Sequence, residues 1–67
     1  MPHYHFALQN SAERIEHLGS IELMGDPQAD TFGKQVIREL LDKNPEQYAR
    51  WTMEITEGQR LVHSILF

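Results

Sequence analysis

One stretch of this sequence, and only one, carries its apolar residues at helical spacing. It begins at Asp26-Pro27 and ends at Asn44-Pro45. Asp and Pro are a favourable pair for opening a helix: aspartate can cap free N–H groups, and proline suits the first helical positions. Asparagine before proline closes the helix, because the residue before proline disfavours the α region. Between these limits Phe32, Val36, Ile37, Leu40 and Leu41 span an arc of roughly 180°, the width of a core-facing stripe. The pairs Asp30–Lys34, Arg38–Asp42 and Glu39–Lys43 stand at i,i+4. Each adds only about 0.2–0.5 kcal/mol, but all agree with a helix.

The flanking segments change period. Tyr4, Phe6 and Leu8 alternate with His3, His5 and Ala7, which is the pattern of a half-buried strand. Gln9-Asn10-Ser11 ends it with turn residues. The stretch from Arg14 to Leu23 holds Ile15, Ile21 and Leu23 but is broken at Gly19-Ser20, so it reads as an irregular returning strand. Residues 46–50 form a connector with room for one helical turn. Trp51, Met53 and Ile55 then alternate inward, Glu57-Gly58-Gln59 forms a turn, and Arg60 to Phe67 is a last strand. The order is ββαββ. A single helix covers one face of an antiparallel sheet, so the expected fold is one small α+β domain over 1–67, two hairpins with a helix on one face.

The expected core is Tyr4, Phe6, Leu8, Phe32, Val36, Leu40, Trp51, Met53 and Ile55. Gly33 falls inside the apolar arc of the helix. Glycine there costs about 1 kcal/mol against alanine. Either the sequence tolerates that cost, or helix and sheet approach closely at this point, under Trp51. The final hairpin has two candidate registers. A two-residue turn at Glu57-Gly58 pairs Met53 with Val62. A three-residue turn through Gln59 pairs Ile55 with Leu61 and Trp51 with Ile65, and it is preferred because Leu61, Ile65 and Phe67 then face the helix. A slip of one residue reverses every side chain.

With only 67 residues, the chain buries about 60% of its unfolded surface and has a thin core. There is no cysteine, so disulfides cannot reinforce it; that fits a reducing, cytoplasmic setting. The net charge is −4, and the six basic residues are scattered, which argues against a nucleic-acid partner. No apolar run exceeds three residues, far short of the roughly 20 needed for a membrane span. The opening Met-Pro-His-Tyr-His has neither the basic nor the apolar part of a signal peptide.

Several short motifs recur in one order: Met1-Pro2-His3-Tyr4-His5-Phe6, then Gly19 with Glu22-Leu23, then Trp51-Thr52-Met53-Glu54-Ile55-Thr56-Glu57, and Phe67 at the end. In this the chain resembles a family of short bacterial proteins of unknown function that open Met-Pro-x-aromatic-x-Phe. The resemblance covers most of the chain. It departs from the family by one extra residue between Gly19 and Glu22, by Met24-Gly25-Asp26 in place of Pro-Asp, by a less Ala-rich helix and by a shorter final turn. It implies the ββαββ fold and brings no activity with it.

Catalytic constellations are weak. His63 and Ser64 are adjacent and on a strand point to opposite faces, so they form no dyad. Glu13 and Glu16 are placed in a loop, Asp30, Glu39 and Asp42 on the helix, and Glu54 outward from its strand. No cofactor is expected. The leading expectation is a non-enzymatic interaction or regulatory protein that binds another protein or itself. The last strand is apolar on both faces, with Leu61, Ile65 and Phe67 on one side and Val62 and Leu66 on the other. Val62, Leu66 and Phe67 are therefore the expected partner-binding residues of a homodimer. The alternative is a metal-binding protein using His3 and His5, which share a strand face, with His63 joining them if the last strand lies beside the first.

Overall fold

The computed structural model describes residues 2–12 and 14–67; Met1 of the opening motif and Glu13 of the expected loop lie outside them. Strand β1 runs His3–Gln9, β2 Ile15–Glu22, helix α1 Asp26–Lys43, a one-turn α2 Pro45–Tyr48, β3 Thr52–Glu57 and β4 Arg60–Leu66. All three strand pairings are antiparallel, in the order β2-β1-β3-β4, and the helix packs on one face. The expected α+β fold and its ββαββ order hold. Glu16, expected in a loop, lies in β2.

The period-two residues of β1 and β3 interlock. Phe6 stands opposite Ile55 and Leu8 opposite Met53. Tyr4, Phe6, Leu8, Met53 and Ile55 are all buried on the helix side. Trp51 closes the layer at one end, its ring edge-on to Tyr48 at 5.6 Å. Asn10 holds the first hairpin loop by accepting from the backbone N–H groups of Ala12 and Arg14, both at 3.0 Å.

The buried line of α1 is Ala29, Gly33 and Ile37. Phe32, Val36, Leu40 and Leu41, read from the sequence as the core stripe, are half-buried shoulders on either side of it. Leu23, not in the expected core, is buried in the turn before the helix, where its N–H donates to the Pro2 carbonyl at 3.2 Å. The helix sits low because of Gly33. A Cβ there lies 2.9 Å from Ile55 Cδ1, 3.1 Å from Met53 Sδ and 3.6 Å from Phe6 Cε2. The close approach is over these three side chains, not under Trp51.

The final hairpin adopts neither candidate register. Glu57 pairs with Arg60 around a two-residue turn at Gly58-Gln59, where Gly58 takes φ +60°. A bulge between Ile55 and Thr56 then leaves Val62 unpaired and restores the pattern, with Ile55 opposite His63 and Met53 opposite Ile65. Ile65 and Phe67 pack against the core as expected, and so does Val62. Leu61 does not: it stands opposite Thr56 and is 54% exposed.

Two stability outcomes follow from this packing. Ile37→Ala is expected to cost about 2–5 kcal/mol in urea melts, and more than Leu40→Ala, because Ile37 is buried and Leu40 half-buried. Gly33→Ala gains about 1 kcal/mol of helix propensity. It also places a methyl 2.9 Å from Ile55 Cδ1 and 3.1 Å from Met53 Sδ, so these two side chains, both 0% exposed, must shift. Overpacking costs about 1–3 kcal/mol, so the melting temperature should fall by roughly 5 °C. The exposed Gln35→Ala should lower it by less than 2 °C or raise it. A rise for Gly33→Ala would contradict the close seat.

Candidate functional site

Three surface features carry chemistry: an ionic node that ties the helix to the last hairpin, a row of histidines on the open sheet face, and an apolar groove beside the helix.

The node is built on Asp26. This residue opens α1 but caps nothing; the cap position is Gly25. The Asp26 carboxylate accepts two hydrogen bonds from Arg60, Nη2 to Oδ1 at 2.9 Å and Nη1 to Oδ2 at 3.0 Å. Oδ1 also accepts the Tyr4 hydroxyl at 2.8 Å. Arg60 further bonds Glu57 across the turn. One turn along the helix, Asp30 receives Lys34 Nζ at 2.9 Å and His63 Nδ1 at 2.6 Å. Both aspartates are thereby held below the usual carboxylate range, Asp26 by the Arg60 guanidinium and then Tyr4, Asp30 chiefly by Lys34. Burial, and then the bond to Asp26, pushes the Tyr4 phenol up to about 12.

His63 is thus on the helix side of the sheet, while Ser64 pairs with Glu54 on the other, so the two point apart. His63 does not join His3 and His5. Strand β4 lies beside β3 rather than β1, and the Val62 bulge turns His63 toward Asp30. His3 and His5 do share the open face. His3 Nε2 is 3.1 Å from Glu22 Oε1, and His5 meets a histidine the sequence reading passed over, His17, at 2.9 Å. Among the described residues no three His, Cys, Asp or Glu side chains gather at one point.

The rest of the open face is polar along its middle, with Ala7, Thr52, Glu54 and Thr56 half-buried. Apolar exposure is pushed to the margins. Leu66 (73% exposed) and Leu61 flank β4, whereas Val62 and Phe67 pack partly into the core on the other side. The three expected partner-binding residues therefore do not share a face. On the helix side, α1 lies over β3 and β4 and leaves β2 uncovered. The gap is a groove of about 320 Å³ lined by Phe6, Leu18, Ile21, Phe32 and Val36. Leu18 and Ile21 are 45% and 39% exposed.

No protein-family model, curated protein or solved structure matches this chain. Among the described residues no helix is long and apolar enough to cross a membrane.

The node makes the stability of the fold depend on pH at both ends. The aspartates' depressed values add stability that is complete above their unfolded range, about pH 4, and is lost as pH falls through the depressed values. The raised value of Tyr4 adds stability that is complete below about pH 10 and is lost as pH rises toward 12. Urea midpoints should fall on both limbs. Asp26→Asn should shrink the acid fall, and Tyr4→Phe should flatten the alkaline one. An unchanged alkaline limb in Tyr4→Phe would contradict the assignment.

Proposed function

We propose that this chain is a non-enzymatic interaction protein, and that its first partner is a second copy of itself. The observation that supports this reading is the outer edge of β4. Among the described residues this strand pairs only with β3. Its final residues, His63-Ser64-Ile65-Leu66-Phe67, include no proline, lysine or carboxylate side chain to guard the edge. Leu66 and Leu61 stand beside it in solvent.

The opposite edge, β2, is protected. It carries Glu16 and Glu22, and it bulges at Leu18 beside Gly19, whose φ is +117°. Two β4 edges meeting across a two-fold axis form one continuous sheet and bring four exposed leucines together. An ordinary interface takes about 800 Å² per partner. That is about a sixth of the 4748 Å² surface, within reach of an edge strand and its flanking side chains.

Sedimentation equilibrium from roughly 5 to 500 μM, bracketing micromolar affinity, tests the reading. A monomer–dimer equilibrium is expected, dissolved by Leu66→Glu with the far-UV circular dichroism unchanged, and untouched by Ile21→Glu in the groove. Monomer mass throughout would end the self-association reading. A dimer broken by Ile21→Glu and not by Leu66→Glu would move the interface to the groove.

A further inference from the structure

The alternation of β1 sends His5 to the open face of the sheet. The bulge at Leu18 brings His17 of β2 beside it: Ala7 stands opposite His17 and His5 opposite Ser20. Two imidazoles from neighbouring strands therefore meet nitrogen to nitrogen. His5 Nε2 and His17 Nδ1 are 2.9 Å apart, with ring centroids at 5.1 Å and planes tilted by 42°. Neither ring is enclosed, and water is available to both. Two ring nitrogens at this distance share either the proton of an ordinary N–H···N hydrogen bond or, once that proton has moved to the far nitrogen, a metal ion.

We propose that His5 and His17 form a two-imidazole site for a borderline divalent transition-metal ion, copper(II) ahead of nickel(II) and zinc(II). Metal–imidazole bonds are about 2.0–2.1 Å, so two cis ligands at a right angle stand about 2.9 Å apart. The strands already hold the nitrogens at that spacing, so binding asks for a change in ring orientation and not in strand position. Imidazole donors in tetragonal geometry favour copper(II), and the usual affinity order places it above nickel and zinc. His5 Nδ1 lies 3.2 Å from Ser20 Oγ. A bond donated there fixes the tautomer that leaves Nε2 free to ligate. His17 then donates its Nδ1 proton to His5 in the metal-free protein. It binds metal as the Nε2–H tautomer, so the neutral pair releases no net proton.

His3 is engaged by Glu22 and His63 by Asp30, so the protein supplies two ligands and water completes the shell. Each strand gives one ligand. Most of β2 is exposed, so an ion bridging it to β1 ties the least enclosed strand to the sheet. Metal binding to the folded state alone raises its stability.

Calorimetric titration of the whole chain with copper(II), nickel(II) and zinc(II) chloride near neutral pH, in a non-coordinating buffer, tests the site, with melting temperature and copper-induced broadening of histidine ring signals as parallel readouts. Saturable 1:1 copper binding with a raised melting temperature is expected, with broadening centred on His5 and His17. His5→Asn and His17→Asn should each weaken it more than tenfold, and Ser20→Ala by about tenfold. His3→Gln and His63→Gln should leave it intact. No heat beyond dilution overturns the proposal. So does binding that survives both asparagine variants, or that disappears in His3→Gln, which would place the ion at the chain's N-terminal end. Because the site and the β4 edge share no residue, the outcome is independent of the self-association experiment.

Discussion

The seat of α1 on the sheet at Gly33 decides the arrangement of everything around it. With no side chain at that position, the helix axis drops until Ile55 and Met53 fill the space a Cβ would need. One turn to either side, Ala29 and Ile37 complete a buried line at i, i+4 and i+8. The helix's other apolar side chains pack as shoulders beside this line. Phe32 leans on Phe6, with ring centroids 5.2 Å apart, and Leu40 and Leu41 pack along the same layer. A helix fixed low over β3 cannot also cover β2. The groove between Phe32, Val36 and the inner side of β2 follows from this seat.

Apolar contact fixes the height of the helix but leaves it free to slide along its axis. The polar groups of its first two turns remove that freedom. Asp26 is gripped by a bidentate guanidinium from the end of the β3–β4 hairpin and by a hydroxyl from β1, and Asp30 is held by His63 farther along β4. These bonds are at least partly solvent-exposed, so each is weak alone. Their value is geometric: two attachments one helical turn apart match two β4 residues, Arg60 and His63, that the Val62 bulge turns to the same side. Without the bulge, His63 would face the open side and Asp30 would lose its partner.

That bulge also marks where the sequence stops being readable. Tyr4, Phe6, Leu8, Met53 and Ile55 were legible because uninterrupted alternation states which face is buried. The helix limits were legible because Asp26-Pro27 and Asn44-Pro45 act locally. A bulge leaves no such mark: one extra residue at Leu18 or Val62 reverses all that follows, and its position depends on the neighbouring strand. The sequence therefore misassigned Leu61, gave no sign of the bond between His63 and Asp30, and passed over His17, which lies between the exposed Ile15 and Leu18. Leu23 was missed for a different reason. Its burial depends on the Pro2 carbonyl, more than twenty residues earlier, which no local pattern encodes.

The same bulges distinguish the two edges of the sheet. A small sheet with one helix exposes two strand edges and one face, and each invites association unless something prevents it. The open face is defended by composition: Thr52, Glu54 and Thr56 occupy its middle and are at home beside water, so it needs no cover. At β2 the bulge falls mid-strand, with Gly19 in a left-handed conformation and a carboxylate on either side, and no long straight segment remains for a partner strand. At β4 the bulge falls close to the turn, and the strand beyond it runs regularly from His63 to Leu66. The irregularity that aims His63 at the helix therefore leaves the rest of β4 straight and unguarded. The two bulges therefore differ in what they leave behind, an interrupted strand at β2 and a regular one at β4.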